Sequence, residues 1–453
     1  MSSLDTTLKD FVYPYKYEVD KTSKYICKEM PEAPFEQIWE KLKGAAVMTL
    51  SKYDPSHMDE YKKMLLKGDS LFNPQFKQIV RDFFAGCFDQ GSPMFQTIFR
   101  NMVGKVMCYM RFSTEQTLYR EELDKVKLDR PLFITSMPRS GSTFLHNLIA
   151  NDPRANAIHF FEHVSPGSHT MDHDARVKVL QDMLNAFHDN STIDMNTVHN
   201  MDSPMNYEEE LFFMELLGQC FVMSSSLPRL EQYREHIFNI DYHYVYEALI
   251  DEIKMHIVEY PMQRSDGFMC LKAVCHFASM APMLDVLGDE KYNANFVWIH
   301  REPLEQIKSL IPLLLGAQGR FEHDLGRNDI EWINKYVLKI NEIILRNIIA
   351  TRDEWIKKDP KRADRIIDVG FVDLVSHPKE TVEKIYKKFG IDYTEEVDKI
   401  LDITINEKDP QRKHGRKQHD QNLYLFKDDD VREQFKFYYE RFGAYLPKYY
   451  EQK

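Results

Sequence analysis

Apolar residues recur along the chain with two different periods, and their alternation predicts the fold class. Short apolar runs near 131–136, 268–273, 295–300 and 365–369 have the length and composition of buried strands. Elsewhere apolar residues recur every three or four positions, as in 333–348, which is the helical period. Strands that alternate with helices in this way predict an α/β protein in which helices wrap a parallel sheet.

The first part of the chain carries only the helical period. Apolar residues at helical spacing occupy 35–42, and further helical patterns cover 74–87 and 93–112. We therefore divide the chain into a helical N-terminal region, residues 1–125, and an α/β domain, residues 126–453.

The segment 132–147 joins a buried strand to an apolar helix through a turn of small residues. The first amides of such a helix are unpaired and its dipole adds positive potential, so the turn can hold an anion. Gly141 allows close approach of the backbone, and Arg139 supplies a fixed charge. Ser142 and Thr143 add hydroxyls. A Walker A loop is excluded, because that motif needs a second glycine followed by lysine.

Cations end two further predicted strands. The run at 295–300 is followed by Arg301, and Ser309 comes eight positions later on the next helix. A guanidinium and a hydroxyl suit the oxygens of a phosphate group. Another strand delivers Lys272, with His276 four residues beyond it. Because such sheets bind ligands at the carboxyl ends of their strands, we expect these side chains near the anion-binding turn.

Residues 138–144 fit every position of the 5′-phosphosulfate loop of sulfotransferases, which reads Pro-[Lys/Arg]-[Ser/Thr]-Gly-[Ser/Thr]-[Ser/Thr]-[Trp/Phe]. The chain resembles soluble members of the broad third sulfotransferase group, which use 3′-phosphoadenosine 5′-phosphosulfate (PAPS) as co-substrate on a P-loop-like fold. In that family a strand-end arginine and a serine at the spacing of Arg301 and Ser309 bind the 3′-phosphate. A late basic loop also meets this phosphate, and 412–417 is its match here, although charge runs are more often solvated loops.

The resemblance therefore implies a set of donor-binding residues drawn from three segments. They are Arg139, Ser140, Gly141, Ser142, Thr143, Phe144, Arg301, Ser309, Gly415 and Arg416. The likeness extends to 371–390, where Phe371 stands in place of the family's aromatic alcohol, so that any function of that hydroxyl is lost.

The resemblance also implies catalytic roles. Lys272 and Arg139 are expected to stabilise the leaving phosphate. Many family members read Lys-x-Pro-x-His where this chain has Lys-Ala-Val-Cys-His, so the proline is absent. His276 is the leading candidate for the general base, since a neutral imidazole accepts a proton near pH 7. The alternatives are His199 and the run of three glutamates Glu208–Glu210, of which Glu209 is the middle residue. The glutamates are equally compatible with a helix N-terminus, where acids favour the dipole.

The acceptor is less closely defined. The apolar segment 211–227 is compatible with an acceptor wall and with a core helix, and a wall would imply a small hydrophobic alcohol or phenol. Glu162 matches a family glutamate and is expected to face the acceptor. The N-terminal region, residues 1–125, is expected to cover or complete the acceptor pocket.

Four histidines between 159 and 173 are paired at four-residue spacing, but Pro166 and Gly167 break any single helix between the pairs. No cysteine or ordered carboxylate set completes a ligand shell, so we predict no metal site. The 6 cysteines are scattered without Cys-x-x-Cys spacing, which favours reduced thiols over disulfides or a zinc site.

Charge and hydropathy limit the partners. A net charge of −12 argues against nucleic acid, because a broad basic face would be expected for such a partner. No apolar run approaches the roughly 18 residues that span a membrane, and the N-terminus does not resemble a signal or transit peptide. We therefore expect a soluble, cytoplasmic enzyme that acts on a small-molecule acceptor. The sequence does not predict its oligomeric state.

Two other classes remain as alternatives. An ATP- or GTP-dependent phosphotransferase on a similar fold would need a Walker A lysine and an acidic strand end for Mg²⁺. The strand at 295–300 instead ends in a histidine and Arg301. An inactive nucleotide-binding module is disfavoured by the intact set of cations.

Overall fold

The computed structural model describes most of the chain. The described residues are 32–86, 93–189, 203–219, 221–228, 230–321, 327–408 and 421–446. Three candidates, Gly415, Arg416 and His199, lie outside the described residues. Within the described ranges, no helix combines the length and apolar character needed to cross a membrane.

A five-stranded sheet lies at the centre of the α/β region, in the order β2-β3-β1-β4-β5. The strands are β1 (Leu132–Ser136), β2 (Ala155–Asn156), β3 (Phe268–Lys272), β4 (Asn295–His300) and β5 (Ile366–Gly370). Every neighbouring pair is parallel. The four predicted strands are all present. Only β2, with two residues, was too short to leave an apolar run in the sequence.

The register brings three strand ends together. Ile134 of β1 pairs with Lys272 of β3, and Ser136 of β1 pairs with Ile299 of β4. Strands β1, β3 and β4 are buried along their whole length, which explains their continuous apolar runs. Because β1 lies between β3 and β4, the residues that follow these three strands lie side by side at one edge of the sheet.

In the described part of the chain, four α-helices precede the sheet: α1 (Glu32–Tyr53), α2 (Met58–Leu65), α3 (Pro74–Ala85) and α4 (Pro93–Leu123). The helical period predicts α1, α3 and α4, whereas α2 was not predicted. The buried stripe of α1 includes Phe35, Ile38, Trp39 and Leu42. Helix α3 begins where the side chain of Asn73 accepts a hydrogen bond from the amide of Gln75.

Further helices lie between and after the strands in sequence. They are α5 (Ser142–Ala150), α6 (Phe160–Val164), α7 (His173–Asp189), α8 (Leu211–Leu216), α9 (Phe221–Ser226), α10 (Glu231–Ile237), α11 (His243–Glu259), α12 (Met280–Leu287), α13 (Pro303–Phe321), α14 (Arg327–Lys358), α15 (Phe371–Ser376), α16 (Pro378–Phe389) and α17 (Glu395–Lys408). Among the described C-terminal residues, 421–446, two further α-helices follow, Asp428–Gln434 and Lys436–Phe442. Helix α16 ends as predicted at Gly390, which adopts a left-handed conformation.

Two hydrophobic clusters pack against the sheet. The larger contains Trp39 of α1, Met110 of α4 and Phe133 of β1, so it joins the N-terminal helices to one sheet face. The smaller contains Ile134 of β1 and Leu145 of α5. Adjacent residues of β1 point to opposite faces, so the two clusters lie on opposite sides of the sheet. The predicted fold class is confirmed.

Candidate active site

The turn between β1 and α5 has the backbone of an anion-binding loop. Arg139 and Gly141 both adopt left-handed conformations, with φ of 68° and 85°. A Cβ atom at Gly141 would lie 3.0 Å from the ring of Phe371, so the ring packs directly on this backbone. The hydroxyl of Ser140 is buried and has no hydrogen-bond partner among the described residues. Together with the first amides of α5, this hydroxyl is available to an anion.

Two side chains from neighbouring elements contact this loop. The Nε of Arg139 donates to the Oγ of Ser309 at 3.2 Å. The guanidinium of Arg301 donates to the carbonyl of Arg139 and lies over the ring of Phe371, 4.5 Å from its centroid. The structure thus brings together the phosphosulfate-loop candidates and the pair expected to bind the 3′-phosphate.

Lys272, at the end of β3, reaches the same loop from the other side of β1. Its Nζ lies 3.1 Å from the Oγ1 of Thr143 and 2.7 Å from the Oε1 of Glu209. The Oε2 of Glu209 accepts a hydrogen bond from the amide of Val274 at 3.2 Å. These contacts orient Glu209 towards the cation beside the loop.

The charge of Glu209 also acts on the loop arginine. Burial lowers the pKa of Arg139 below the ordinary value for arginine, and the negative charge of Glu209 opposes that shift. Glu209 therefore lies within electrostatic range of two cations, Arg139 and Lys272. An anionic donor bound at the loop would share these cations with it.

His276 occupies a different environment. It lies on a short 3₁₀ turn, Cys275–Ser279, and its ring is fully buried. The Nδ1 lies 3.1 Å from the hydroxyl of Tyr246, and the Nε2 lies 3.9 Å from the Oε2 of Glu210. Burial lowers the pKa of His276 to about 3, so the ring is neutral at pH 7. Both nitrogens therefore face buried side chains.

Glu210 is buried next to this histidine. Neither of its carboxylate oxygens has a hydrogen-bond partner among the described residues. Burial raises the pKa of Glu210 to about 8, so the group is largely protonated at pH 7. Three consecutive glutamates thus include one oriented by Lys272 and one held in the core.

Glu162 is fully engaged by two histidines. Its Oε1 lies 2.9 Å from the Nδ1 of His159, and its Oε2 lies 2.7 Å from the Nδ1 of His256. Burial alone would raise the pKa of Glu162, but the two histidines hold it well below its usual range. A carboxylate in this state is a weak proton acceptor.

The four histidines between 159 and 173 each pair with a different carboxylate. Besides His159 with Glu162, the pairs are His163 with Glu252 at 2.8 Å, His169 with Glu122 at 3.1 Å and His173 with Asp174 at 3.1 Å. In the part of the chain that the structure describes, no group of three or more histidine, cysteine or acidic side chains is arranged to hold a metal ion.

The apolar segment 211–227 is mostly core. Leu211, Phe213, Met214 and Leu216 of α8 are buried. Phe212 is only partly buried, and its ring lies 4.3 Å from that of Phe160. Of the two interpretations of the segment, the core helix therefore describes most of it, and Phe212 remains a candidate for an acceptor wall.

Sequence reasoning did not identify two buried amides, one of which contacts the loop while the other contacts the first. The Nε2 of Gln306 donates to the carbonyl of Pro138 at 2.8 Å, and the Nδ2 of Asn341 donates to the Oε1 of Gln306 at 2.8 Å. The available signal was a glutamine among the apolar positions of α13, which by itself does not point to the loop.

The fold and the site together define a class of protein. An anion-binding turn follows the central strand of a parallel sheet, Lys272 ends one neighbouring strand, and Arg301 follows the other. This is the arrangement of α/β proteins that hold a phosphorylated ligand at the carboxyl edge of the sheet. The sulfotransferase family model matches residues 131–395, which include all three strand ends. The chain belongs to the sulfotransferase family.

Solved structures show the same fold. Sulfotransferase STF1 from Mycobacterium tuberculosis superposes with a TM-score of 0.64 at 16% identity, covering 83% of this chain and 97% of the other. Sulfotransferase STF9 from Mycobacterium avium gives a TM-score of 0.65 at 17% identity, with 85% and 96% covered. No curated protein sequence matches the chain significantly. At these identities the likeness concerns the fold.

Proposed function

We propose that the protein transfers a sulfuryl group from PAPS to a hydroxyl or amine of a small, hydrophobic acceptor. The observation that carries the proposal is the convergence of Arg139, Lys272 and Arg301 on one loop. The protein has a net charge of −12, so this local concentration of cations suits an anionic nucleotide. The family membership supports sulfuryl transfer as the reaction class.

The residues present fit a donor with two anionic ends. The Ser140 hydroxyl, the first amides of α5 and Thr143 would hold the phosphosulfate end. Arg301 and Ser309 would hold the 3′-phosphate. PAPS supplies an activated sulfuryl group, which carries less negative charge than a phosphoryl group. Lys272 and Arg139 stabilise the charge that collects on the leaving phosphate oxygen.

Glu209 is the general base in this proposal. It takes the proton of the acceptor as the acceptor atom bonds to sulfur and the sulfur–oxygen bond to the phosphate breaks. Its position favours it over His276, because Glu209 contacts Lys272 beside the loop whereas the histidine ring is enclosed in the core. Glu162 is a weaker candidate, because two histidines hold its pKa well below the usual range of a glutamate.

Side chains near Glu209 in sequence suit a hydrophobic acceptor. Tyr207 and Phe212 are partly buried, and Met205 is 46% exposed. An aromatic or aliphatic alcohol would bury apolar surface against such side chains. We propose the cytoplasm as the location, which the buried thiols of Cys108 and Cys270 suit.

Calorimetric titration with 3′-phosphoadenosine 5′-phosphate, the product nucleotide, tests the donor. Parallel titrations use ADP, and ATP with and without Mg²⁺. We expect tight binding of the 3′-phosphorylated nucleotide without any metal, and weak binding of the others. A preference for ATP with Mg²⁺ would replace the proposal by a phosphotransferase. Once the donor is established, a screen of phenols, alcohols and amines with PAPS identifies the acceptor class.

A further inference from the structure

Residues 138–144 form the loop that would bind the donor, here called the donor loop. Two of its consecutive carbonyl groups accept hydrogen bonds from side chains that follow β4 in the sequence. The carbonyl of Pro138 accepts from the Nε2 of Gln306 at 2.8 Å, and the carbonyl of Arg139 accepts from Arg301. No peptide bond in the described residues is cis. In a trans peptide the carbonyl and the following N–H point in opposite directions. The amides of Arg139 and Ser140 are therefore directed away from the groups that hold the carbonyls.

The loop backbone needs such external support. Arg139 is not a glycine, yet its φ is 68°, and Gly141 has a φ of 85° only two residues later. A left-handed conformation in a residue with a side chain persists where the surrounding structure holds it in place. Gln306 and Arg301 fix the peptide groups on both sides of Arg139, and so they hold this conformation.

Gln306 is itself oriented by a second buried amide. Its Oε1 accepts from the Nδ2 of Asn341 at 2.8 Å, and both residues are 3% exposed. This bond fixes which end of the Gln306 amide faces the loop, because only the NH₂ end can donate to the Pro138 carbonyl. Gln306 lies on α13 and Asn341 on α14, so the support comes from two long helices.

We propose that Gln306, oriented by Asn341, is a positioning residue that presets the donor loop for binding the phosphosulfate group. The inference rests on the proposed function. The hydrogen bond from Gln306 fixes the peptide group between Pro138 and Arg139 in the nucleotide-free protein. The loop amides therefore already face the donor site before the donor binds. Gln306 touches neither donor nor acceptor in this role.

The test compares Gln306→Met with the wild-type protein. Methionine keeps the volume of glutamine and removes the donor to Pro138. We expect the Kd for 3′-phosphoadenosine 5′-phosphate to rise about tenfold, as for the loss of one preorganised hydrogen bond. We also expect faster amide hydrogen exchange in residues 132–147 of the nucleotide-free protein, with exchange elsewhere unchanged.

Gln318→Met is the matched control. Gln318 lies on the same helix, is fully buried, and donates from its Nε2 to Asp329 at 2.8 Å. Its loss is expected to lower thermal stability without changing nucleotide affinity or exchange in 132–147. Equal effects of the two substitutions on the Kd, or a Gln306→Met protein with wild-type Kd and wild-type exchange, would overturn the inference.

A second variant keeps the test decisive if Gln306→Met fails to fold. Asn341→Leu leaves the bond to Pro138 possible but removes its orientation, so we expect a two- to threefold rise in Kd, as about half the effect in free energy. An unchanged Kd in a folded Asn341→Leu protein would then refute the role. Failure of the wild type to bind the nucleotide would refute the proposed function instead, and the exchange measurement would still decide whether Gln306 presets the loop.

Discussion

Glu209 and Glu210 are adjacent in the chain but occupy opposite environments. Glu209 contacts the Nζ of Lys272 and the amide of Val274, at the edge of the donor loop. Glu210 is enclosed, and neither of its oxygens has a hydrogen-bond partner among the described residues. Burial raises the pKa of Glu210 to about 8. Because the two carboxyl groups differ in this way, they should respond differently to the same isosteric substitution.

The first prediction uses this pair. Glu209→Gln should lower kcat by about 10²–10⁴-fold, which is the usual contribution of a general base, because the amide cannot accept the proton. Affinity for 3′-phosphoadenosine 5′-phosphate should not fall and should rise modestly, since no donor contact is assigned to Glu209 and the loss of its charge leaves Lys272 and Arg139 to the nucleotide. Glu210→Gln should keep turnover within about threefold of wild type, because the group is already largely uncharged.

Steady-state kinetics and calorimetry on both variants check this prediction. If Glu209→Gln retains turnover and His276→Gln abolishes it at unchanged nucleotide affinity, the base is the histidine. Loss of turnover in all three variants, with lowered thermal stability, would indicate that the cluster acts only by holding the fold.

Arg301 is the residue expected to bind the 3′-phosphate. Its guanidinium already contacts the loop carbonyl of Arg139 and stacks on Phe371, so it is held in place before any ligand binds. A preorganised guanidinium loses little freedom when it pairs with a phosphate. Removal of the Arg301 side chain should therefore weaken mainly the binding of nucleotides that carry a 3′-phosphate.

The second prediction is that Arg301→Ala weakens binding of 3′-phosphoadenosine 5′-phosphate by at least about thirtyfold, as for a lost charge-assisted pair. Binding of ADP should weaken far less, because ADP has no 3′-phosphate and is affected only by the lost contact between Arg301 and the carbonyl of Arg139. Titration of both nucleotides measures the ratio. An equal loss for the two would remove Arg301 from the 3′-phosphate site.

At the scale of elements, the donor loop is packed between α5 and α15. The left-handed Gly141 lies directly against the ring of Phe371, and Leu374 of the same helix lies 3.4 Å from a Cβ placed at Gly141. Phe371 also supports Arg301. The aromatic ring that replaces the family's aromatic alcohol thus keeps a packing role between the loop and the 3′-phosphate candidate.

Gly141→Ala supplies the third prediction. The substitution adds a Cβ against Phe371 at a position with φ of 85°, so the backbone is strained and either the ring or the loop has to move. We expect the affinity for 3′-phosphoadenosine 5′-phosphate to fall about tenfold or more. Gly390→Ala is the control, because its φ is 69° but no atom lies within 4 Å of the added Cβ.

The control variant should lose about 1 kcal/mol of stability from the left-handed backbone and keep its nucleotide affinity. Denaturation and calorimetry on the two variants separate the effects. If both bind the nucleotide like the wild type, the close approach of the backbone at Gly141 has no part in donor binding.

Features that depend on the local sequence could be predicted. Contacts between segments that are far apart in the sequence could not. The strand ends at Lys272 and Arg301 follow from apolar runs that stop at a cation, and the parallel sheet places such ends together. The contact of Gln306 with Pro138 joins positions 168 residues apart and leaves no periodic signal. The burial of His276 was equally hidden, because Tyr246 and Glu210 surround it from other elements.

At the scale of the whole molecule, several histidines are buried in uncharged form. Burial lowers the pKa of both His146 and His276 to about 3. His300 is also buried and its pKa is lowered, although Asp368 opposes the shift. The pKa of His163 shifts in the opposite direction, because Glu252 raises it against the effect of burial. The free energy of unfolding at acid pH therefore combines opposite contributions from these histidines. Substituting one histidine at a time measures the contribution of each.

The fourth prediction concerns His276. A histidine whose pKa is about 3 when folded and 6.5 in the unfolded chain binds fewer protons in the native state between these values. Its contribution to stability is therefore fully present above about pH 6.5 and is lost as the pH falls. Between pH 7 and pH 5 the loss for this one group is about 2 kcal/mol. His276→Phe should remove that part of the pH dependence.

Chemical denaturation of His276→Phe and wild type at pH 7, 6 and 5 measures the effect. As the pH falls, the free energy of unfolding should decrease less for the variant than for the wild type. Tyr246 still has the hydroxyl of Ser279 at 2.8 Å, so the substitution leaves it a partner. Phe277→Leu, a neighbouring buried residue without a titrating group, should lower stability equally at every pH. Parallel pH profiles for wild type and His276→Phe would mean that the ring gains a proton without unfolding, and that the core around Glu210 accommodates its charge.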